Sequence, residues 1–206
     1  ALGVELLVGY GLTETSPVLT CRRPWRNIRG GAGQPLPKTE IKIVDPETFQ
    51  IKKLRQRGLV LARGPQIMSG YLGKESESKK VLDINGWFNT GDLGMLLADG
   101  SLILTGRAKD TIVLSSGENI EPGPLEEALI ASPLIEQAFL LGQDQKQLAA
   151  LIVPRIDYVK GWFTDRGFDS LIVLGICPEN RVLREELRME MNKVLENRLG
   201  SRREER

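Results

Sequence analysis

Residues 9–18 read GYGLTETSPV and place a carboxylate, Glu14, between two threonines in a stretch rich in turn-forming residues. Glycine lets the backbone approach a ligand closely, hydroxyl groups hydrogen-bond to it, and a carboxylate accepts hydrogen bonds or binds a hard cation. The stretch is therefore typical of a phosphate and metal site. Taken alone, an ordinary turn explains it equally well, because Gly, Ser, Thr and Pro are the usual turn residues.

The composition of the 206 residues is that of an ordinary globular protein, with 41% hydrophobic and 27% charged side chains. The 28 Lys and Arg nearly balance the 27 Asp and Glu, so no overall positive charge attracts nucleic acid. The longest apolar run, residues 171–177, is too short to cross a bilayer, and residues 1–4 do not begin a signal peptide. We therefore expect a cytoplasmic protein without a nucleic-acid partner.

Cysteine and histidine counts exclude several kinds of site. Cys21 and Cys177 are far apart, so neither a disulfide framework nor a zinc site is indicated. The chain contains no histidine, which excludes Ser-His-Asp and Cys-His nucleophile systems and histidine metal sites. Phosphoryl or nucleotidyl transfer remains open, because Mg²⁺, Lys and Arg carry most of that catalysis by positioning and charge stabilisation.

The pattern of the chain changes near Gly106. Before it, short apolar or alternating runs ended by Gly, Pro or Asp predict a strand-rich region with one short helix. The predicted strands there are 2–8, 40–44, 58–62 and 101–105, and the predicted helix is 76–82. After it, the sequence predicts helices at 122–132, from Asp157 to about Arg166 and from Pro178 onward, with a hairpin of strands 135–141 and 148–153.

The last predicted helix carries an apolar stripe, which favours a core position over a partner interface. Its members are Leu183, Leu187, Met191, Val194 and Leu195. A second segment, CRRPWRNIRGG at residues 21–31, surrounds Trp25 with four arginines: Arg22, Arg23, Arg26 and Arg29. A solvated surface loop is the favoured interpretation, and a docking patch for an acidic partner or an anionic membrane is the alternative.

Two common nucleotide motifs are missing. GxxxxGK followed by Ser or Thr does not occur, and Glu14 stands where GxGxxG requires its third glycine. Three other segments belong together: YGLTE at 10–14, TGD at 90–92 and GRAKDTIVLSSGENIEP at 106–122. In this order, and with the linking stretches GQPLPKTEIKIVD, RGPQIMSGYLG and INGWFNTGDLG, they closely resemble the acyl-adenylate-forming superfamily of acyl-CoA synthetases, adenylation domains and firefly-type luciferases.

The resemblance covers almost the whole chain; one departure is Lys38, where the family more often has glycine. It implies an α+β fold in two parts. Residues 1–105 would be the strand-rich end, a distorted β-barrel, of a large AMP-binding domain. Residues 106–206 would be most of a small, mobile α+β domain, ending before the family's catalytic lysine.

The resemblance implies roles for residues of the first motif. Tyr10 matches the aromatic side chain that stacks on adenine, and Gly9 and Gly11 allow close backbone approach to the base. Thr13 matches the hydroxyl that contacts the α-phosphate. Glu14 matches the Mg²⁺ ligand, and this role fits the ion's preference for one or two protein carboxylates plus phosphate oxygens.

Later motifs supply the remaining implied residues. Asp92 matches the carboxylate that accepts hydrogen bonds from both ribose hydroxyls. The alternative role for Asp92 is that of a helix or turn cap. Arg107 matches a ribose-contacting arginine, with a surface ion pair as the alternative. Lys109 stands at the family's hinge, although a solvated lysine looks the same in sequence. The loop that approaches the pantetheine thiol matches three residues: Ser115, Ser116 and Gly117.

The resemblance implies that ATP, with Mg²⁺, and a fatty acid form acyl-AMP and pyrophosphate, after which a thiol gives a thioester and AMP. SSGENIEPGPLEEAL and the brief hairpin connection before LAALIVP most resemble long-chain fatty acid ligases, with coenzyme A as acceptor. An acyl-acyl carrier protein synthetase, with holo-acyl carrier protein as acceptor and partner, is the alternative. Luciferases, amino acid adenylation domains, a non-catalytic nucleotide-binding module and a peripheral membrane contact also remain open.

The family's Gly/Ser/Thr-rich phosphate loop is expected before Ala1 and its catalytic lysine after Arg206. We therefore expect that this chain alone does not form acyl-AMP.

Overall fold

The computed structural model describes residues 4–165 and 181–204 and consists of two compact units, Ala1–Asp110 and Thr111–Arg206. Unit 1 is built mainly of antiparallel strands, and unit 2 packs helices on a hairpin. The division predicted at 105/106 falls within a strand, Leu102–Arg107, which together with the turn Ala108–Asp110 ends unit 1.

Unit 1 contains two antiparallel sheets. The smaller has the order β1-β2-β3, with β1 at Gly9–Tyr10, β2 at Thr20–Cys21 and β3 at Gln34–Pro35. The larger has the order β4-β5-β6-β7, with β4 at Glu40–Val44, β5 at Gly58–Arg63, β6 at Phe88–Leu96 and β7 at Leu102–Arg107. Helix α1 is Glu75–Val81, and short 3₁₀ turns lie at Thr13–Thr15 and Ala108–Asp110.

The larger sheet is open rather than closed. A closed barrel requires its first and last strands to pair. Among the described residues, β4 pairs with no strand besides β5, and β7 pairs with β6 and makes only an isolated bridge, from Leu102 to Gly33, toward the smaller sheet. The described strands of this chain therefore do not close into the expected barrel. The α+β class itself is confirmed, since the described chain combines these sheets with helices.

The core of unit 1 lies on both faces of β5. Its residues 58–62 are all buried, and the side chains of Leu59, Val60 and Leu61 alternate between two apolar clusters. One cluster contains Val44, Leu59, Leu61 and Leu93, and the other contains Ile43, Val60 and Leu102. An unbroken apolar run such as GLVLA is what a central strand buried on both faces requires.

The predicted strand at 2–8 is wrong for its described part, residues 4–8, which form no strand. Val4 and Leu6 are 82% and 76% exposed. Regular pairing starts at Gly9, which lies opposite Cys21. An apolar run indicates a strand only where a partner strand and a covering layer exist, and the described residues of unit 1 supply neither for this stretch.

Unit 2 contains α2 at Pro122–Ile130, the hairpin β10–β11 at Ile135–Leu141 and Ala149–Pro154, and α3 at Ile156–Asp165. It also contains the short pair β8–β9 at Ile112–Val113 and Asn119–Ile120, and the long helix α4, described over Arg181–Glu204. Asp157 lies in the first turn of α3 rather than at its cap, because the helix already begins at Ile156. The predicted start at Pro178 lies outside the described residues.

The apolar stripe of α4 packs into the core of unit 2. Leu187, Met191, Val194 and Leu195 contact a cluster that includes the buried Leu125, Leu129, Ile135 and Leu140. The preference for a core role is thus confirmed for these four residues. The side chain of Leu183 lies outside the described part of the structure.

Neighbouring residues of α2 provide a test of this core. Leu129 is 0% exposed and Ile130 is 40% exposed. We expect Leu129→Ala to lower the free energy of unfolding by about 2–5 kcal/mol, because it leaves a cavity, and Ile130→Ala to change it by under about 1 kcal/mol. Urea denaturation followed by circular dichroism measures both. Equal effects of the two variants would contradict the packing of α2.

Candidate functional site

Side chains from three strands of unit 1 form one network around the carboxylate of Asp92. The Tyr10 hydroxyl, at the end of β1, donates a hydrogen bond of 2.6 Å to Asp92 Oδ2 on β6. Arg107 on β7 places its Nε 3.3 Å from Asp92 Oδ1. Asp92 and Arg107 are directly opposite each other in the β6–β7 pairing. The sheet register therefore brings together residues from the three motifs.

A backbone hydrogen bond also helps to fix the position of Asp92. This residue is only 7% exposed, and its backbone N–H donates to Thr90 Oγ1 at 3.1 Å. The Thr90 hydroxyl in turn donates to the Val60 carbonyl on β5 at 2.9 Å. Burial, and next the hydrogen bond to Asp92, raise the pKa of Tyr10 above its usual range, so its phenol is a neutral donor at physiological pH.

A cleft of about 690 Å³ in unit 1 adjoins this network. Arg107 lines the cleft, whereas Tyr10 and Asp92 lie outside its lining. Gly11, Thr13, Glu14 and Lys109 line it as well, so five predicted site residues share one cavity. The rest of the lining is Leu12, Pro46, Phe49, Leu59, Asn89, Thr90, Gly91 and Ala108.

Gly11 is needed by the fold of the motif itself. A Cβ at this position would lie 1.8 Å from the Pro17 carbonyl oxygen, a distance no side chain tolerates. At Gly9 the nearest atom would be the Thr20 carbonyl oxygen at 3.3 Å, which is tight but less severe. The roles of the two glycines toward an adenine base remain predictions, and the structure adds an internal reason for Gly11.

Glu14 is held by a segment far along the chain. It lies half-buried in the turn Thr13–Thr15, where its carbonyl accepts the Met68 N–H at 2.9 Å. Its Oε1 accepts the Tyr71 hydroxyl at 2.9 Å. This hydrogen bond to a carboxylate is the main cause of the raised pKa of Tyr71. Among the described residues, none hydrogen-bonds to Oε2 of Glu14.

The remaining predicted site residues divide between the two units. Lys109 lies in the exposed turn Ala108–Asp110 at the end of unit 1. Gly117 has a φ of +82° in a tight turn of unit 2, where its N–H donates to Leu114 at 2.8 Å. Ser115 and Ser116 belong to the same turn. The hinge role of Lys109 and the thiol-contacting role of this turn stay predictions.

Sequence reasoning missed three residues that bear on the site: Phe49, Asn89 and Tyr71. Phe49 lines the cleft with a φ of +55°, a conformation that its sequence does not signal. Asn89 also lines it and accepts the Gly91 N–H at 2.9 Å, which shapes the TGD turn. Tyr71 belongs to the linking stretch RGPQIMSGYLG, and nothing in the sequence relates it to Glu14.

Arginines of the basic segment at 21–31 donate hydrogen bonds to nearby backbone carbonyls. Arg22 donates from Nε to the Gly31 carbonyl at 2.6 Å, and Arg23 donates to the Pro35 carbonyl at 3.4 Å. Trp25 is 75% exposed. These contacts support the surface-loop interpretation, while the docking alternative stays a prediction.

Among residues 4–165 and 181–204, no group of three or more Asp, Glu, His or Cys side chains is placed to hold a metal ion. Within the same residues, none of the helices has the length and apolar character needed to span a bilayer.

Comparison with known proteins identifies two family matches. The model described as "AMP-binding enzyme" matches residues 1–72, and "AMP-binding enzyme C-terminal domain" matches residues 109–171. A solved structure of o-succinylbenzoate coenzyme A synthetase from Bacillus subtilis in complex with AMP has a TM-score of 0.65 and 30% identity. It covers 80% of this chain, which covers 35% of it.

Two curated relatives carry more specific names. The chloroplastic long-chain-fatty-acid–acyl-carrier-protein ligase AEE15 of Arabidopsis thaliana is 49% identical over 164 residues, which are 75% of this chain. Long-chain-fatty-acid–CoA ligase 1 of Homo sapiens is 34% identical over 171 residues, or 82% of this chain. The chain spans about a quarter of the length of these relatives, 23% and 24% respectively.

A double-mutant cycle tests the carboxylate network. Tyr10→Phe and Asp92→Ala each remove the 2.6 Å hydrogen bond, so their effects on the free energy of unfolding should be non-additive by about 0.5–3 kcal/mol. Urea denaturation of the two single variants and the double variant gives this coupling. Tyr71→Phe combined with Asp92→Ala is the control: Tyr71 donates to Glu14 instead, so additivity within about 0.5 kcal/mol is expected. Additivity in the first pair would contradict the network.

Proposed function

Because this chain belongs to the AMP-binding enzyme family, we propose that it is part of an enzyme that activates long-chain fatty acids with ATP. The fatty acid carboxylate attacks the α-phosphorus of ATP and displaces pyrophosphate, which gives acyl-AMP. A thiol then attacks the acyl carbon and releases AMP, which gives a thioester. The acid is already ionised at neutral pH, so the first step requires no histidine base.

The observation that carries this proposal is the contact of both Tyr10 and Arg107 with the Asp92 carboxylate. An ionised carboxylate has about four acceptor positions, and Tyr10 and Arg107 use one each. The remaining positions accept the two ribose hydroxyls, as the family resemblance implies. Arg107 also lines the adjoining cleft, where its fixed positive charge faces a nucleotide.

The phosphates occupy the part of the cleft lined by Thr13 and Glu14. The Thr13 side chain is exposed and supplies a hydroxyl donor for the α-phosphate. Glu14 fits a Mg²⁺ ligand, because a carboxylate is a hard oxygen donor and only its Oε1 is engaged by a described residue. When bound, Mg²⁺ would neutralise charge that develops on the phosphates. Lys109 lines the same cleft as Arg107 and serves as the hinge between adenylation and thioester formation.

The thiol acceptor is either coenzyme A or holo-acyl carrier protein. The named carrier-protein ligase is 49% identical to this chain, whereas the named CoA ligase is 34% identical. This difference supports holo-acyl carrier protein as the preferred acceptor. In either case the turn at Ser115, Ser116 and Gly117 approaches the pantetheine thiol.

Binding of AMP to the chain itself tests the nucleotide site. We expect saturable binding by isothermal titration calorimetry, weakened at least about tenfold in Asp92→Ala, because one hydrogen bond to a charged group contributes about 1.5–3 kcal/mol. Glu75→Ala is the matched control, since it removes an exposed carboxylate at the start of α1. Equal affinities of the two variants, or no binding to the unchanged chain, would contradict the assigned site.

Turnover by the full-length protein tests the reaction. Pyrophosphate exchange into ATP should depend on added long-chain fatty acid and should fall strongly in Glu14→Gln, which loses the metal-binding charge. The same protein should form thioester faster with holo-acyl carrier protein than with coenzyme A. Nucleotide binding without exchange would instead indicate a non-catalytic module, and exchange with aryl or amino acids alone would refute the substrate class.

A further inference from the structure

Tyr71 and Glu14 are joined across a long stretch of sequence. The Tyr71 hydroxyl lies 2.9 Å from Glu14 Oε1, although 57 positions separate the two residues. Both side chains are half-buried. Tyr71 follows Gly70, whose φ of +145° belongs to the region that side chains rarely adopt. The loop therefore reaches Glu14 with the Tyr71 hydroxyl through a backbone conformation at Gly70 that favours glycine.

The loop does not need the phenol to stay in place. The Met68 N–H donates to the Glu14 carbonyl at 2.9 Å, and the Gln66 amide donates to Thr39 Oγ1 at 2.7 Å. The Tyr71 N–H donates to Ser78 Oγ at 2.8 Å. These bonds hold the backbone of the loop against its neighbours. What the phenol adds is control of the Glu14 carboxylate itself.

We propose that Tyr71 is a positioning residue that orients the Glu14 carboxylate for a divalent cation bound with ATP. The inference rests on the proposed function, since it takes Glu14 as the metal ligand. A glutamate has three side-chain torsions, and ordering them on binding costs entropy. With Oε1 held by Tyr71, Oε2 is presented to the cation and less ordering remains. Groups that orient a metal ligand in this way commonly change metal affinity by about 10–100-fold.

The test uses Mn²⁺ as the probe and full-length protein. Mn²⁺ affinity is measured by electron paramagnetic resonance with a non-hydrolysable ATP analogue at saturation, and analogue affinity is measured separately in EDTA. Tyr71→Phe should weaken Mn²⁺ binding about tenfold and leave the metal-free affinity for the analogue unchanged. Tyr158→Phe is the matched control, because it removes the hydroxyl of a 46% exposed tyrosine in unit 2. It should change neither quantity.

Glu14→Gln separates the two residues. In this background Tyr71→Phe should have no further effect on Mn²⁺ affinity, because the ligand that it orients is gone. Unchanged Mn²⁺ affinity in the Tyr71→Phe single variant would overturn the inference. An equal loss of metal-free analogue binding would also overturn it, since the role would then be structural. If the unchanged protein binds no analogue at all, the proposed function fails first and the inference with it.

Discussion

The nearly buried carboxylate of Asp92 constrains the architecture around the site. Burying a carboxylate is costly unless it is paired and hydrogen-bonded, and here Tyr10 and Arg107 engage its two oxygens. This pairing requires β6 and β7 to keep the register in which Asp92 faces Arg107. It also requires β1 to deliver Tyr10 to the same point. This anion therefore links the small sheet and the large sheet of unit 1, in addition to the backbone bridge between Gly33 and Leu102.

The loop between β1 and β2 depends on a second set of contacts. Gly11 lets the Pro17 carbonyl approach closely, so the loop folds back on itself. The segment that contains Met68 and Tyr71 then fixes Glu14 through its carbonyl and its carboxylate. A side chain for which we propose a role toward a nucleotide, that of Glu14, is thus held by contacts inside the protein. Such contacts reduce the ordering that a ligand would otherwise have to impose.

Local pattern predicted the elements whose stability comes from their own residues. The alternation over 40–44 predicts β4 with its observed ends, and the apolar run at 58–62 predicts β5, observed at Gly58–Arg63. Prediction from the residue pattern failed where tertiary contacts decide whether a strand forms. Residues 4–8 are mostly apolar, yet they are partly or largely exposed and form no strand. β6 contains Asn, Asp and two Gly, which rarely favour a strand. β6 forms because β5 and β7 flank it on both sides.

The sequence by itself determined the family, through three motifs in a fixed order, and it excluded a histidine-dependent site within this chain. These features depend only on residue types and their spacing, so no coordinates are needed to recognise them. Tertiary structure alone decided which side chains meet. The partnership of Tyr71 with Glu14 and the presence of Phe49 in the cleft come from loops folded by distant contacts. Whether the sheets of unit 1 close into a barrel was likewise decided by strand pairing, because the sequence of one strand does not specify which strands pair with it.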